Sequence, residues 1–175
     1  MIQLAGYFAV LLHALALAGM AASLGGLVFC LLVLRPLGGA GHPAMEAVLR
    51  LGRRGILVTV PALAAVILLA PWGLAEDDHG WPIGEYLGTG FARMSVVRLA
   101  LGAVFGTALL WLGRRPAAGA RWMLAGATGL AFALSGAWLV HAVSRLSEVA
   151  PLMLATLLHQ FAALTWVGSV MALIG

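Results

Sequence analysis

The chain has 175 residues, of which 63% are hydrophobic and 9% are charged, and its formal net charge is +4. A water-soluble domain carries closer to about a quarter charged residues, so this composition excludes an ordinary soluble protein. The basic charge does not indicate nucleic-acid binding, because the arginines flank apolar segments and form no basic patch interleaved with aromatic residues.

Apolar runs long enough to cross a bilayer recur along the chain, and one helical crossing needs about 20 residues. We predict about five transmembrane helices, at residues of roughly 4–34, 55–72, 94–112, 120–142 and 150–175. The predicted fold is therefore all-α, a polytopic transmembrane helix bundle with a single domain over residues 1–175. The 23 glycines fit this fold, because small residues let helices approach closely in lipid.

Three residues of the first predicted helix bear on metal chemistry. Met20 lies two turns beyond His13 on the same face, and an imidazole paired with a thioether suits a soft or borderline cation such as copper. Cys30 is the only cysteine, and we expect a packed thiol there. No basic residue precedes the first apolar run, so we expect this helix to remain in the protein rather than to be cleaved as a signal peptide.

The arginines predict the orientation of the helices. They concentrate in the loops between spans one and two and between spans three and four, at Arg35, Arg50, Arg53, Arg54, Arg114, Arg115 and Arg121. By the positive-inside rule these two loops are cytoplasmic. The loop between spans two and three is acidic, with Glu76, Asp77, Asp78 and Glu85. We therefore predict that the N-terminus lies outside and that the fifth helix runs inward from about Pro151.

Three histidines belong to the outer half of the bundle on this topology. His13 and His159 each lie about nine residues below the outer surface, or on the order of 13 Å deep, and His141 lies near the outer interface. Ionisable groups within lipid are costly and usually mark an ion, proton or substrate path. The alternative that remains open is a neutral histidine that only hydrogen-bonds a neighbouring helix.

Polar residues near the outer ends of the second and third helices are further candidates. His79, beside Asp77 and Asp78 in the acidic loop, is a candidate ligand for a cation, although such a loop is more commonly a solvated surface. Met94 and Arg98 lie one turn apart at the outer start of the third helix. Both are candidates to face an outer cavity shared with the histidines.

Two segments of the chain resemble a known family. The first helix, LHALALAGMAASLGGLVFCLLVLRP, and the fifth, LLHQFAALTWVGSVMALIG, are similar to the histidine-led helices of the CopD family of bacterial inner-membrane copper-resistance and copper-uptake proteins. His159, Trp166 and Gly168 match that pattern in register, with Ser169 at its second glycine, and Gly25 aligns with Gly168. Members of that family are usually longer, so the resemblance implies a fragment or a shortened relative.

The resemblance implies copper movement across the bacterial inner membrane, with a periplasmic copper-binding partner of the CopC type. The copper ion would pass from His141 to His13 and His159, and then to Met20. Two other functions remain open: a protein that binds haem b between His13 and His159, and an accessory subunit of a larger membrane complex. The sequence contains no GxSxG, HExxH or Walker A motif, so we expect a binding or transport protein and not an enzyme.

Overall fold

The computed structural model describes residues 2–38, 43–73, 83–116, 118–136 and 149–174, and nearly all of them are helical. The helices are α1 (Ile2–Met20), α2 (Gly26–Phe29), α3 (Arg35–Gly38), α4 (Pro43–Leu69), α5 (Ile83–Gly88), α6 (Gly90–Arg114), α7 (Gly119–Ser135) and α8 (Val149–Ile174). The π-helical turns Ala21–Gly25 and Cys30–Leu34 join α1, α2 and α3 into one continuous helical segment.

Four segments are long and apolar enough to cross a membrane: Gly6–Gly38, Pro43–Trp72, Gly90–Arg114 and Ala150–Ile174. They correspond to the first, second, third and fifth predicted spans and are consistent with the predicted membrane protein. The fourth predicted span, 120–142, is described as far as residue 136, so its outer end lies outside the described residues. The predicted count of five spans and the outside location of the N-terminus remain predictions.

Helix α4 runs antiparallel to α1, and glycines bring the two backbones together. A Cβ atom at Gly19 would lie 2.5 Å from the carbonyl oxygen of Gly55, so neither residue has room for a side chain. The Thr59 hydroxyl donates hydrogen bonds to the carbonyl oxygens of Gly55, at 2.9 Å, and of Ala16 in α1, at 3.3 Å. Pro61 lies inside α4 without ending it, as is usual where neighbouring membrane helices support the backbone.

Helix α6 packs between α4 and α7 through the GxxxG sequence that begins at Gly102. A Cβ atom at Gly102 would lie 3.1 Å from the ring of Phe132 in α7, and one at Gly106 would lie 3.1 Å from Ile56 in α4. The Phe105 and Phe132 rings stack with their centroids 6.1 Å apart, and both are fully buried. The small residues of this motif therefore serve helix packing, as predicted.

Helix α8 crosses the first helical segment where Gly25 meets Gly168. A Cβ atom at Gly25 would lie 2.7 Å from the Cα of Gly168, and the reverse distance is 2.6 Å. Eight residues before this crossing, Leu17 and Gln160 line the same cavity, so the two helices run in the same direction. The residues that the family pattern aligns are thus in direct contact in the fold.

These contacts define two ends of the bundle. The cavity end contains the first turns of α6 and α8 together with His13, Leu63 and Gly136. The arginine end contains Arg35, Arg53 and Arg121. On the predicted topology the cavity end faces outside and the arginine end faces the cytoplasm.

Candidate functional site

A cavity of about 410 Å³ lies among α1, α4, α6 and α8 at the cavity end. This volume is in the range of sites for small molecules, about 300–1,000 Å³. Its polar lining groups belong to His13, Met20, Ser95, Arg98 and Gln160. Its apolar walls are formed by Ala16, Leu17, Leu63, Val66, Ile67 and Phe91. A few polar groups converging within apolar walls is the usual composition of a binding site.

His13 is held by a bond that determines which ring nitrogen is free. Its Nδ1 lies 2.8 Å from the backbone oxygen of Ala9. A carbonyl oxygen can only accept a hydrogen bond, so Nδ1 carries the proton and donates it. In the neutral ring Nε2 then has a free lone pair, which is the arrangement found when a histidine binds a metal.

Met20 lies two turns beyond His13 and lines the same cavity. Its side chain is buried, and its sulfur accepts a hydrogen bond from Nη2 of Arg98 at 3.1 Å. The predicted pairing of His13 with Met20 on one face of α1 therefore agrees with the geometry. The sulfur is already in contact with a cation, which the sequence did not indicate.

Arg98 is the most deeply buried charged group among the described residues, with 8% of its surface exposed. Its guanidinium carbon lies 5.5 Å from the centre of the Phe132 ring, which contributes a cation–π interaction. Gly136, at the end of α7, makes room for it: a Cβ atom there would overlap Nη1 and lie 3.2 Å from Cζ. Within the described part of the chain no carboxylate forms an ion pair with this guanidinium.

Two buried hydroxyl groups, those of Ser95 and Tyr86, lie near each other at the start of α6. Ser95, one turn before Arg98 on α6, is buried and lines the cavity. Tyr86 of α5 is also buried, and among the described residues its hydroxyl has no hydrogen-bond partner of ordinary geometry. Burial raises the pKa of Tyr86, and the nearby Ser95 hydroxyl lowers it by a smaller amount. The phenol is therefore neutral at physiological pH.

On α8 the residue that reaches the cavity is Gln160 and not His159. The face of α8 that packs on the bundle follows a row with a spacing of four residues, 160, 164, 168 and 172. His159 lies about 100° away from Gln160 around the helix and is exposed, as are Ala162 and Trp166. Counting back in steps of four from Gly168 would have identified Gln160 from the sequence.

The structure thus brings together some predicted site residues and separates others. His13 and Met20 line one cavity, and Arg98 joins them, whereas His159 and Met94 do not line it. His79 and His141 lie outside the described residues. The described segments hold no group of three or more histidine, cysteine or acidic residues arranged for a metal ion. Cys30 is fully buried in the apolar core, in agreement with the packed thiol that was predicted.

The chain matches no protein-family model, no curated protein and no solved structure in the comparisons. The similarity to the CopD family therefore remains a prediction from the helix patterns.

Proposed function

We propose that this protein is an integral membrane protein that binds a copper ion at the cavity, with His13 as the outermost ligand and Met20 as a deeper one. The observation that carries the proposal is that these two side chains line one cavity, two turns apart on α1. Imidazole and thioether groups together favour copper over harder cations. The hydrogen bond from His13 Nδ1 to Ala9 leaves Nε2 free for the metal.

The same site opposes a strongly charged cation. Arg98 places a permanent positive charge in the cavity and occupies the Met20 sulfur. Like charges repel strongly where water is excluded, so Cu⁺ fits this cavity better than Cu²⁺ does. A copper ion on Met20 has to displace the contact with Arg98. This arrangement suits transient binding during transport across the bacterial inner membrane, with delivery by a periplasmic chaperone of the CopC type.

The proposal is tested by Cu⁺ titration of the full chain in a nonionic detergent, in competition with a chelator of known affinity. We expect His13→Ala to weaken Cu⁺ binding by more than about tenfold, because one of few ligands is removed. His159→Ala is the matched control and should leave the affinity unchanged. Equal affinities for His13→Ala and the parent protein would overturn the proposal.

Arg98 allows a second test, in which a substitution is expected to tighten Cu⁺ binding instead of weakening it. Arg98→Gln removes the repelling charge and keeps a shorter polar side chain. We expect it to tighten Cu⁺ binding by about threefold to tenfold. The exposed Arg93 on the same helix is the control, and Arg93→Gln should have little effect. A visible haem absorption band on the purified protein would instead favour the haem alternative.

A further inference from the structure

Arg98 is not explained by copper binding, because a buried cation weakens the binding of another cation. A charged arginine within a membrane helix is costly, so such residues are usually paired or functional. Arg98 lies in the first half of α6 with 8% of its surface exposed. Its burial therefore requires a compensating partner.

The hydrogen-bonding capacity of Arg98 is largely unused within the described residues. A guanidinium carries five N–H donors. The one hydrogen bond described for this side chain goes from Nη2 to the sulfur of Met20, which is a weak acceptor. The remaining donors of a group that lines a cavity of about 410 Å³ are available to an occupant of that cavity.

The fold holds this guanidinium in a prepared position. The ring of Phe132 lies under one face, at 5.5 Å from Cζ, and Gly136 leaves the space that Nη1 occupies. The Gln160 amide oxygen would lie 3.1 Å from a Cβ atom at Gly136, which places the amide next to the guanidinium. An arginine that only anchored the helix at the membrane surface would not need an aromatic ring, a glycine and an amide arranged around its guanidinium.

The surroundings restrict the kind of ligand. One guanidinium balances one negative charge, and the described lining of the cavity holds no other arginine or lysine to balance a second one. The planar fork of arginine matches the two oxygens of a carboxylate, with Ser95 and Gln160 as further hydrogen-bonding groups. Leu63, Val66 and Ile67 form an apolar wall that fits a short hydrocarbon or aryl group.

We propose that Arg98, with Ser95 and Gln160, forms a binding site for a small amphipathic monocarboxylate. The carboxylate pairs with the guanidinium, and the apolar part of the ligand packs on the α4 wall. This site stands independently of copper. A carboxylate bound at Arg98 also neutralises the charge that opposes Cu⁺, so the two ligands would favour each other.

The test uses the full chain in a nonionic detergent without copper, titrated calorimetrically with benzoate and with benzamide, its uncharged analogue. We expect saturable binding of benzoate and none of benzamide. Arg98→Gln should weaken benzoate binding by about tenfold or more, since hydrogen bonds to charged groups are the strong ones. Arg93→Gln, the exposed control, should bind benzoate as the parent protein does.

A second arm identifies the source of the carboxylate. Dodecanoate is compared with its methyl ester in nanodiscs of zwitterionic lipid. Tighter binding of dodecanoate than of benzoate would indicate a fatty acid taken from the bilayer, and the reverse would indicate a water-soluble acid. Arg98→Lys keeps the charge but loses the fork, so we expect it to bind the preferred acid more weakly than the parent protein.

Three results would overturn the inference: no saturable carboxylate binding, equal binding of benzoate and benzamide, or equal carboxylate affinity in Arg98→Lys and the parent. The last comparison decides the question if Arg98→Gln does not fold. Because copper is absent from these titrations, their failure is distinct from a failure of the His13 copper test.

Discussion

The two ends of the bundle use arginine in opposite ways. At the arginine end Arg121 lies 4.2 Å from the centre of the Trp111 ring and donates a hydrogen bond to the Trp111 carbonyl oxygen at 2.8 Å. Arg35, which is exposed, lies 5.8 Å from the centre of the Trp122 ring. At the cavity end Arg98 is buried beside a phenylalanine ring and a thioether.

The difference shows that exposure decides what an arginine does. A guanidinium at a helix end keeps its water and serves as an anchor at the membrane surface, with an aromatic ring beside it. A guanidinium inside the bundle loses its water and must be compensated by another group. The arginine end is therefore expected to contribute stability, and the cavity end is expected to contribute binding at the expense of stability.

The largest expected effect comes from filling the space that Gly136 leaves for Arg98. A Cβ atom at Gly136 overlaps Nη1, so Gly136→Ala should lower the free energy of unfolding by about 1–3 kcal/mol and weaken carboxylate binding. Gly136 has a right-handed helical backbone conformation, so alanine adds no backbone strain. Thermal unfolding in detergent and benzoate titration measure the two effects.

Gly126 is the matched control on the same helix, because a Cβ atom there meets nothing within 4 Å. Gly126→Ala should be neutral or stabilise the protein by up to about 1 kcal/mol, since alanine is the better helix former. If both variants unfold alike, Gly136 has no special role in the position of Arg98.

The second prediction is that two arginine substitutions change the free energy of unfolding in opposite directions. Arg98→Met replaces an uncompensated buried charge with an apolar chain, so it should raise the free energy of unfolding by about 1 kcal/mol in the absence of ligand. Arg121→Gln removes an exposed cation–π contact and a hydrogen bond, and it should lower that free energy by less than about 1 kcal/mol. A loss of about 3–5 kcal/mol in Arg98→Met would instead show that a carboxylate of the chain pairs with Arg98.

The smallest effect concerns Tyr86 at high pH. Burial raises its pKa above the ordinary value of 10.0, so the pKa is higher in the folded than in the unfolded protein. The neutral phenol contributes its full stability when the pH is below the pKa of Tyr86 in the unfolded protein. This contribution is lost as the pH rises through the pKa of Tyr86 in the folded protein. In an alkaline pH titration followed by tyrosinate absorbance, we expect one tyrosine to ionise at a higher pH than an ordinary tyrosine does, which gives a late phase.

The chain has two tyrosines, so the late phase can be assigned by substitution. Tyr86→Phe should remove it, and Tyr7→Phe should leave it in place. A late phase that persists in Tyr86→Phe would contradict the burial of this side chain.

The sequence alone determined the class of the protein and the positions of its long helices. Hydropathy over about 20 residues is a local property, so the span at 94–112 falls within α6 and the span at 55–72 falls within the helical segment Pro43–Trp72, most of which is α4. The spacing of His13 and Met20 along one helix is also local, and for this reason their shared face was predictable.

The tertiary structure decided which faces of the helices meet. A shift of one residue turns a side chain by about 100°, so His159 and Gln160 are equivalent in hydropathy analysis but different in the fold. The close contact of Gly25 with Gly168 turns Gln160 toward the cavity and leaves His159 exposed. In the same way the space at Gly136 directs Arg98 inward, and this contact joins residues that lie 38 positions apart in the chain (136 − 98). In lipid there is no hydrophobic driving force for helices to associate, so steric contacts such as these determine how the helices pack. The packing in turn determines which side chains line the cavity.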